Sequence, residues 1–413
     1  MSLAGLHAVD LFAGTGWGVA AQRLGIVEHG VELMPEAIAT REANGMHTWM
    51  SDVWEVLEHA PLNSPEFNAA LLIASPPCQT FSMAGGGAGR KALDEVLGLI
   101  DSRAYLDVAK LREFGERHDP RTSLVLTPLT YVAWHLPTYV VLEQVPPVLP
   151  VWERIADELR SWGYSAWAGL LHAEQYGVPQ TRTRAVLIAR NDGIGAAPPS
   201  PTHSRYYSRK PARLDSGVLP WVSAAEGAGW DRDEVAGFAR RADDKGAATS
   251  DGYRARDLRP TDAPAQHVTE KARSWSHVKA ERHRDAGMLE RGGERPGRTA
   301  DEPAPTVTGN ASGTTPGGFA WVHDKPSSTI VGSFGADIIA GPGGSGVRPT
   351  DLSRHRQDRP GSVRVTLDEA AALQSYPPGF VWCGSRTKAF LQVGNAVPPL
   401  LAEAILNTLD TDT

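Results

Sequence analysis

Four short apolar runs, each bounded by turn-forming residues, constrain this chain more than any other feature. Ala8-Val9-Asp10-Leu11-Phe12 runs into Gly14-Thr15-Gly16, and Asn68 to Ala74 is stopped at Pro76-Pro77. Thr138 to Leu142 and Arg184 to Ala189 complete the set. Runs this short, closed by such breakers, read as strands. Between them, Trp152 to Trp162 places Ile155, Leu159 and Trp162 at helical spacing. Strands alternating with helices build a largely parallel sheet covered on both faces, so the first 190 residues read as an α/β domain.

Near Gly193 the texture changes. Pro198, Pro199 and Pro201 open a stretch rich in Arg, Asp, Gly and Ser. Asp262 to Thr269, Asp301 to Thr308 and Asp324 to Val331 echo one another at irregular spacing, which excludes a solenoid. They are either proline-led turns before short strands or coincidence in a proline-rich region. Gly341 to Gly346 reads as a loop or hinge. Order returns at Thr366, which caps a helix with Glu369 in the capping-box position. A last helix, Pro399 to Leu409, follows Gly394-Asn395-Ala396-Val397-Pro398. A chain of 413 residues is too long for one ordinary core. The expected organisation is a first domain of 1–194 and 363–413, interrupted by a smaller, irregular domain at 195–362. Charge supports that boundary weakly: the net charge is −7, yet 195–362 holds 24 Lys+Arg against 21 Asp+Glu. With only Cys78 and Cys383 there is no disulfide framework, and no apolar stretch suggests a leader or a span. A cytoplasmic protein without a membrane partner is expected.

The chemistry concentrates at the ends of the apolar runs. Gly14, Gly16 and Gly18 lie where the first strand would turn into a helix, and glycines there let backbone approach a ligand. No Lys-Ser/Thr pair follows, which disfavours a phosphate-cradling loop. Glu32, at the next strand end, is placed to hold ribose hydroxyls, and Asp52, one strand further, to accept from an adenine amino group. Cys78 follows two prolines at a strand end and precedes the flexible Met83 to Gly89, an exposed setting that suits a nucleophilic thiolate. Glu143 closes the third apolar run and would face the same cleft. Gln180, Arg182 and Arg184 alternate at strand period and share a face. No Cys/His cluster suggests a metal.

Together these segments resemble the cytosine-5 DNA methyltransferase family, block by block and in order. The glycine turn at 10–18 looks like the cofactor loop, and Pro76-Pro77-Cys78-Gln79 like the nucleophile motif. Asp119 to Leu124 is similar to the block whose Leu packs near the cofactor. Glu143-Gln144-Val145 matches Glu-Asn-Val with Gln in place of the usual Asn, Gln180 to Arg184 matches Gln-x-Arg-x-Arg, and Gln392 to Pro398 looks like the closing motif. The resemblance implies a Rossmann-like methyltransferase domain with a target-recognition domain inserted. It implies S-adenosylmethionine as cofactor, held by Phe12, Gly14, Gly16, Gly18, Glu32, Asp52, Val53, Pro76, Leu124, Asn395 and Val397. Cys78, Glu143, Arg182 and Arg184 would be catalytic, with Arg182 supporting the loop or a phosphate, and Gln79, Ser82 and Gln180 would meet the substrate. That substrate would be double-stranded DNA, its target cytosine flipped out, bound by a monomer that a restriction enzyme can accompany. Thr306-Val307 and Thr329-Ile330 both resemble the Thr-aliphatic pair of family recognition domains.

Overall fold

The computed structural model describes residues 2–50, 52–59, 69–77, 81, 91–230, 234–237, 258–260, 263–265, 268, 276–279 and 363–410. Cys78, Gln79, Ser82, the glycine segment 83–89, the hinge 341–346 and both Thr-aliphatic pairs lie outside them, as do most of the three echoing segments.

The apolar runs are strands of one sheet. Its members are β1 (His7–Leu11), β2 (Val27–Glu32), β3 (His47–Met50), β4 (Leu71–Ala74), β5 (Tyr139–Gln144), β6 (Ser165–His172) and β7 (Thr183–Arg190), in the order β3-β2-β1-β4-β5-β7-β6. The pairs from β3 through β5 are parallel. β7 runs antiparallel to β5 and to β6. The sheet is therefore mostly parallel, as the alternation of strands and helices requires, with one reversed strand that an apolar run cannot announce. Strand order reverses between β1 and β4, and open α/β sheets bind ligands in the crevice beyond the carboxyl ends at such a switch point.

Eleven described helices follow: α1 (Gly16–Leu24), α2 (Pro35–Ala43), α3 (Val53–His59), α4 (Leu93–Asp101), α5 (Val108–Arg117), α6 (Thr127–His135), α7 (Leu149–Ser161), α8 (Ala224–Ala228), α9 (Leu367–Leu373), α10 (Arg386–Asn395) and α11 (Pro399–Asn407). Alternating strand residues send Val140 and Leu142 to the face covered by α3 to α7, and Tyr139 and Val141 to the face covered by α1 and α11. Thr366 forms the expected capping box: its hydroxyl accepts from the Glu369 N–H, whose carboxylate accepts from the Thr366 N–H. The segment Arg386–Asn407 is apolar and long enough to cross a bilayer by composition. It is instead two helices broken at Ala396 to Pro398, with 72% of its most apolar window buried inside the protein.

The segment after β7 stays fastened to the large sheet and its helices. The Ala196 N–H bonds Ser165 Oγ, Tyr176 Oη donates to the Pro199 carbonyl, and Trp230 Nε1 donates to Glu369. A third core gathers Ala224, Ala225, Trp230, Ala265 and Val268 against α9 and α10. Beyond it, β8 (Glu234–Gly237), β9 (Leu258–Pro260), β10 (Ser276–Lys279) and β11 (Val363–Arg364) make a separate antiparallel sheet ordered β11-β10-β8-β9.

Candidate active site

The glycine turn after β1 is held from behind. Phe12 sits at φ 62° and Gly14 at φ 49°, the left-handed region that costs a side-chain-bearing residue strain. A methyl group built on Gly14 would meet nothing within 4 Å, so the turn faces open space. Glu32, at the end of β2, accepts from the Gly14 N–H at 3.0 Å with one oxygen, and from the Leu33 and Met34 N–H groups with the other. Arg41 of α2 completes the clamp: it donates to the Gly14 carbonyl at 3.1 Å and pairs with Glu28 at 2.7 Å, both side chains buried. Arg41 also bonds Thr48 Oγ1 and the His47 carbonyl. Removing one partner of such a buried pair costs about 3–5 kcal/mol. Sequence reading missed Arg41; its signal was an arginine sharing the buried helix face of Ala37 and Ile38.

Asp10 lies beneath this clamp, and among the described residues neither of its carboxylate oxygens has a hydrogen-bond partner. Burial, and next the negative charge of Glu28, push its carboxyl well above the usual range, against the pull of Arg41. Asp52 accepts from the Trp54 N–H and so caps α3, while Val53 is buried. Leu124 sits half-buried against the core beside α6.

The closing segment seals the other wall. A methyl group on Gly16 would fall 1.9 Å from the Val397 carbonyl oxygen, so only glycine allows α1 to meet that turn. The missing side chain of Gly18 is taken up by Met46 and Arg41, a packing role rather than an approach to ligand. Thr15 Oγ1 bonds Tyr376 Oη. Asn395 is exposed at the end of α10, and Val397 is buried. Arg182, expected among the catalytic groups as a support for the loop or a phosphate, is buried beneath this turn and braces it, donating to the Gly394, Ala396 and Val268 carbonyls. Gln180, expected at the substrate, is instead a fully buried strut: its amide donates to the Leu373 carbonyl and Gln374 Oε1 and accepts from the Val268 N–H. Of the three residues expected on one face, only Arg184 reaches Glu143.

There, at the carboxyl end of β5, Arg184 Nε meets Glu143 Oε1 at 2.7 Å, each side chain 7% exposed. The register of β5 against β7 sets Glu143 opposite Val186 and brings Arg184 just beyond the paired strand end. Gln144, one residue on, donates from its amide to the Pro76 carbonyl and accepts from the Val145 N–H. It ties the strand bearing Glu143 to the prolines that lead into Cys78. Trp17 Nε1 donates to Ser75 Oγ at 2.8 Å, fastening the same segment to α1. The glycine turn, the Pro76-Pro77 exit and the Glu143–Arg184 pair thus share one edge of the sheet.

Known proteins match this architecture. The family model for C-5 cytosine-specific DNA methylases matches residues 112–411, from α5 through α11. Type II methyltransferase M1.HphI of Haemophilus parahaemolyticus is 27% identical over 97% of this chain and 85% of its own. Type II methyltransferase M.DdeI of Desulfomicrobium norvegicum is 25% identical over 81% and 71%. Among solved structures, the Entamoeba histolytica methyltransferase EhMeth shares the fold at a TM-score of 0.50 and 12% identity, covering 99% of this chain and 98% of that one. The family match spans well over half of the residues, and the chain belongs to the C-5 cytosine-specific DNA methylase family as a DNA (cytosine-5-)-methyltransferase.

Proposed function

We propose that this enzyme methylates carbon 5 of cytosine within a specific double-stranded DNA sequence, using S-adenosylmethionine and a covalent Cys78–cytosine intermediate. The observation that carries the reading is the buried Glu143–Arg184 pair, tied through Gln144 to the segment that leads into Cys78. The open left-handed turn at Gly14, Glu32 beside it and the exposed Asn395 fit S-adenosylmethionine, with Phe12, Asp52, Val53, Pro76, Leu124 and Val397 as further pocket residues. When bound, that cofactor supplies an electrophilic methyl group on a sulfonium.

Cytosine carbon 5 is too electron-poor to attack such a group unaided. The Cys78 thiolate adds to carbon 6, and Glu143 gives a proton to ring nitrogen N3, which leaves an enamine with electron density at carbon 5. Arg184 pairs with the carboxylate this leaves and holds the ring carbonyl oxygen. Once carbon 5 carries the methyl group, loss of its proton to a base expels Cys78 and restores the ring. Stacked DNA hides carbon 6, so the base is flipped out, with Gln79 and Ser82 contacting it. Residues 195–362 read the sequence, and the enzyme acts as a cytoplasmic monomer that a restriction enzyme can accompany.

Duplex DNA carrying 5-fluorocytosine tests the reading, because fluorine cannot leave as a proton. The wild type should form an adduct that survives denaturing electrophoresis, Cys78→Ser should form none while still binding cofactor, and Cys383→Ser should behave as wild type. Glu143→Gln should slow methylation by about 10²–10⁴-fold. A Cys78→Ser protein with full methylation activity would overturn the mechanism.

A further inference from the structure

Residues 196–220 carry Arg205, Arg209, Lys210 and Arg213 against the single acidic Asp215, in a chain of net charge −7. All four basic residues are exposed, yet their loop is built. The Ser204 N–H bonds the Leu219 carbonyl at 2.7 Å, and the Leu219 N–H returns to the Thr202 carbonyl. Asp215 staples the interior: it accepts from the Arg205 N–H at 3.0 Å and from Tyr207 Oη at 2.8 Å, while its own N–H bonds Ser204 Oγ. The Arg213 guanidinium lies 4.0 Å over the Tyr207 ring, and Tyr206 is buried edge-on to Trp221. Ordering has been met in advance, which is what a charged contact surface needs and a merely solvated one does not.

Topology puts the loop at the catalytic edge. β5 and β6 both run antiparallel to β7, so both end on the same side. Glu143 and Gln144 end β5 there, and His172 ends β6 there, two strands away or about 10 Å at normal strand spacing. The Thr202 and His203 N–H groups both bond the Gln175 carbonyl just past β6. The imidazole of His172 is pushed down to about 4, first by burial and then by the positive charge of Arg205.

We propose that the loop 204–215 grips the phosphodiester backbone of the duplex substrate within a few phosphates of the target base, and that it supplies affinity without reading sequence. The proposal rests on the DNA-methylating function proposed above. Phosphate contacts position a duplex but carry no base information, and each one neutralised adds about 0.9 to the slope of log affinity against log salt.

The test compares the full-length wild type with an Arg209→Gln, Lys210→Gln, Arg213→Gln variant, binding labelled duplexes with and without the methylated site from 50 to 200 mM KCl. Thermal unfolding and cofactor affinity should be unchanged. Affinity should fall at least tenfold at low salt on both duplexes, with the slope shallower by about two to three. The bisulfite pattern and the single-turnover rate at saturating DNA should stay as in wild type. A variant with Arg209→Glu and Lys210→Glu should bind more weakly still. Wild-type affinity and slope in both variants would overturn the loop's role, and a loss confined to the methylated site would show base reading instead. A wild type that neither binds nor methylates DNA would overturn the proposed function as well, so the two failures are distinguishable.

Discussion

Gln144 shows what one extra methylene does at the centre of the site. Its amide reaches the Pro76 carbonyl on one side and the Val145 N–H on the other, so a single side chain fixes the exit from β4 relative to Glu143. Gln144→Leu leaves both backbone groups unpaired, a loss of about 1–3 kcal/mol for a desolvated group, whereas Gln144→Asn keeps the amide on a shorter arm. Adduct formation on 5-fluorocytosine DNA should therefore slow in the order wild type, Asn, Leu, with cofactor affinity preserved; a Leu variant that traps at the wild-type rate would remove Gln144 from the positioning role. Asp10 offers a second prediction at this scale. Unfolded, it ionises near pH ~3.9. Folded, burial and then Glu28 raise that value, so the native state holds the proton more tightly. Its contribution to stability is complete below about pH 4 and declines as pH rises toward the folded value. Asp10→Asn removes this dependence, and its urea midpoint should gain on wild type as pH goes from 5 to 8. Parallel curves across that range would show that Asp10 does not titrate as its burial requires.

Elements were legible where their signal is local and opaque where it is not. The glycine turn, the Thr366 cap and the strands β1, β5 and β7 were read from breakers and apolar runs within a few residues. The helix read as starting at Trp152 begins at Leu149, because Pro150 suits a first turn. β6 escaped because an edge strand half-exposed along most of its length shows no clean alternation. The contacts of Gln180 and Arg182 were opaque for another reason: their partners, Leu373, Gln374, Gly394 and Ala396, lie about two hundred residues on, and strand period says nothing of them. The glycine turn also conceals two different requirements, which substitution separates. Gly14→Ala keeps open space but imposes left-handed strain of about 1–2 kcal/mol. Gly16→Ala drives a methyl group into the Val397 carbonyl and must push the closing turn off α1, an overpacking cost of about 1–3 kcal/mol. In hydrogen exchange, Gly16→Ala should lose protection at residues 394–398 and Gly14→Ala should not. Equal protection there in both would mean that α1 and the closing turn are not coupled.

At the scale of the molecule, where the proposed recognition segment begins decides what an exchange of segments can show. Residues 196–230 are fastened to β6, to Gln175 and to α9, and a junction at 195 would cut the Pro199, Thr202 and Trp230 contacts. Even further along, the Ala265 N–H bonds the Pro179 carbonyl and its own carbonyl accepts from the Thr181 N–H, so an incoming segment must reproduce that bridge beside Gln180. A chimera that exchanges 231–362 for the matching segment of a relative keeps Cys78, Glu143, Arg184 and the basic loop 204–215. If specificity resides in the exchanged part, bisulfite sequencing should show the relative's target cytosines methylated. The phosphate contacts of the retained loop should persist, so replacing Arg209, Lys210 and Arg213 in the chimera should again make the salt slope shallower by about two to three. A chimera exchanged at 195 should unfold at lower temperature, because the buried Tyr176 would lose its hydrogen bond to Pro199 and Trp230 its bond to Glu369. A folded 231–362 chimera that still methylates the original sequence would place recognition in the α/β domain or in 196–230. The antiparallel sheet of β8 to β11 would then be a scaffold rather than the reader.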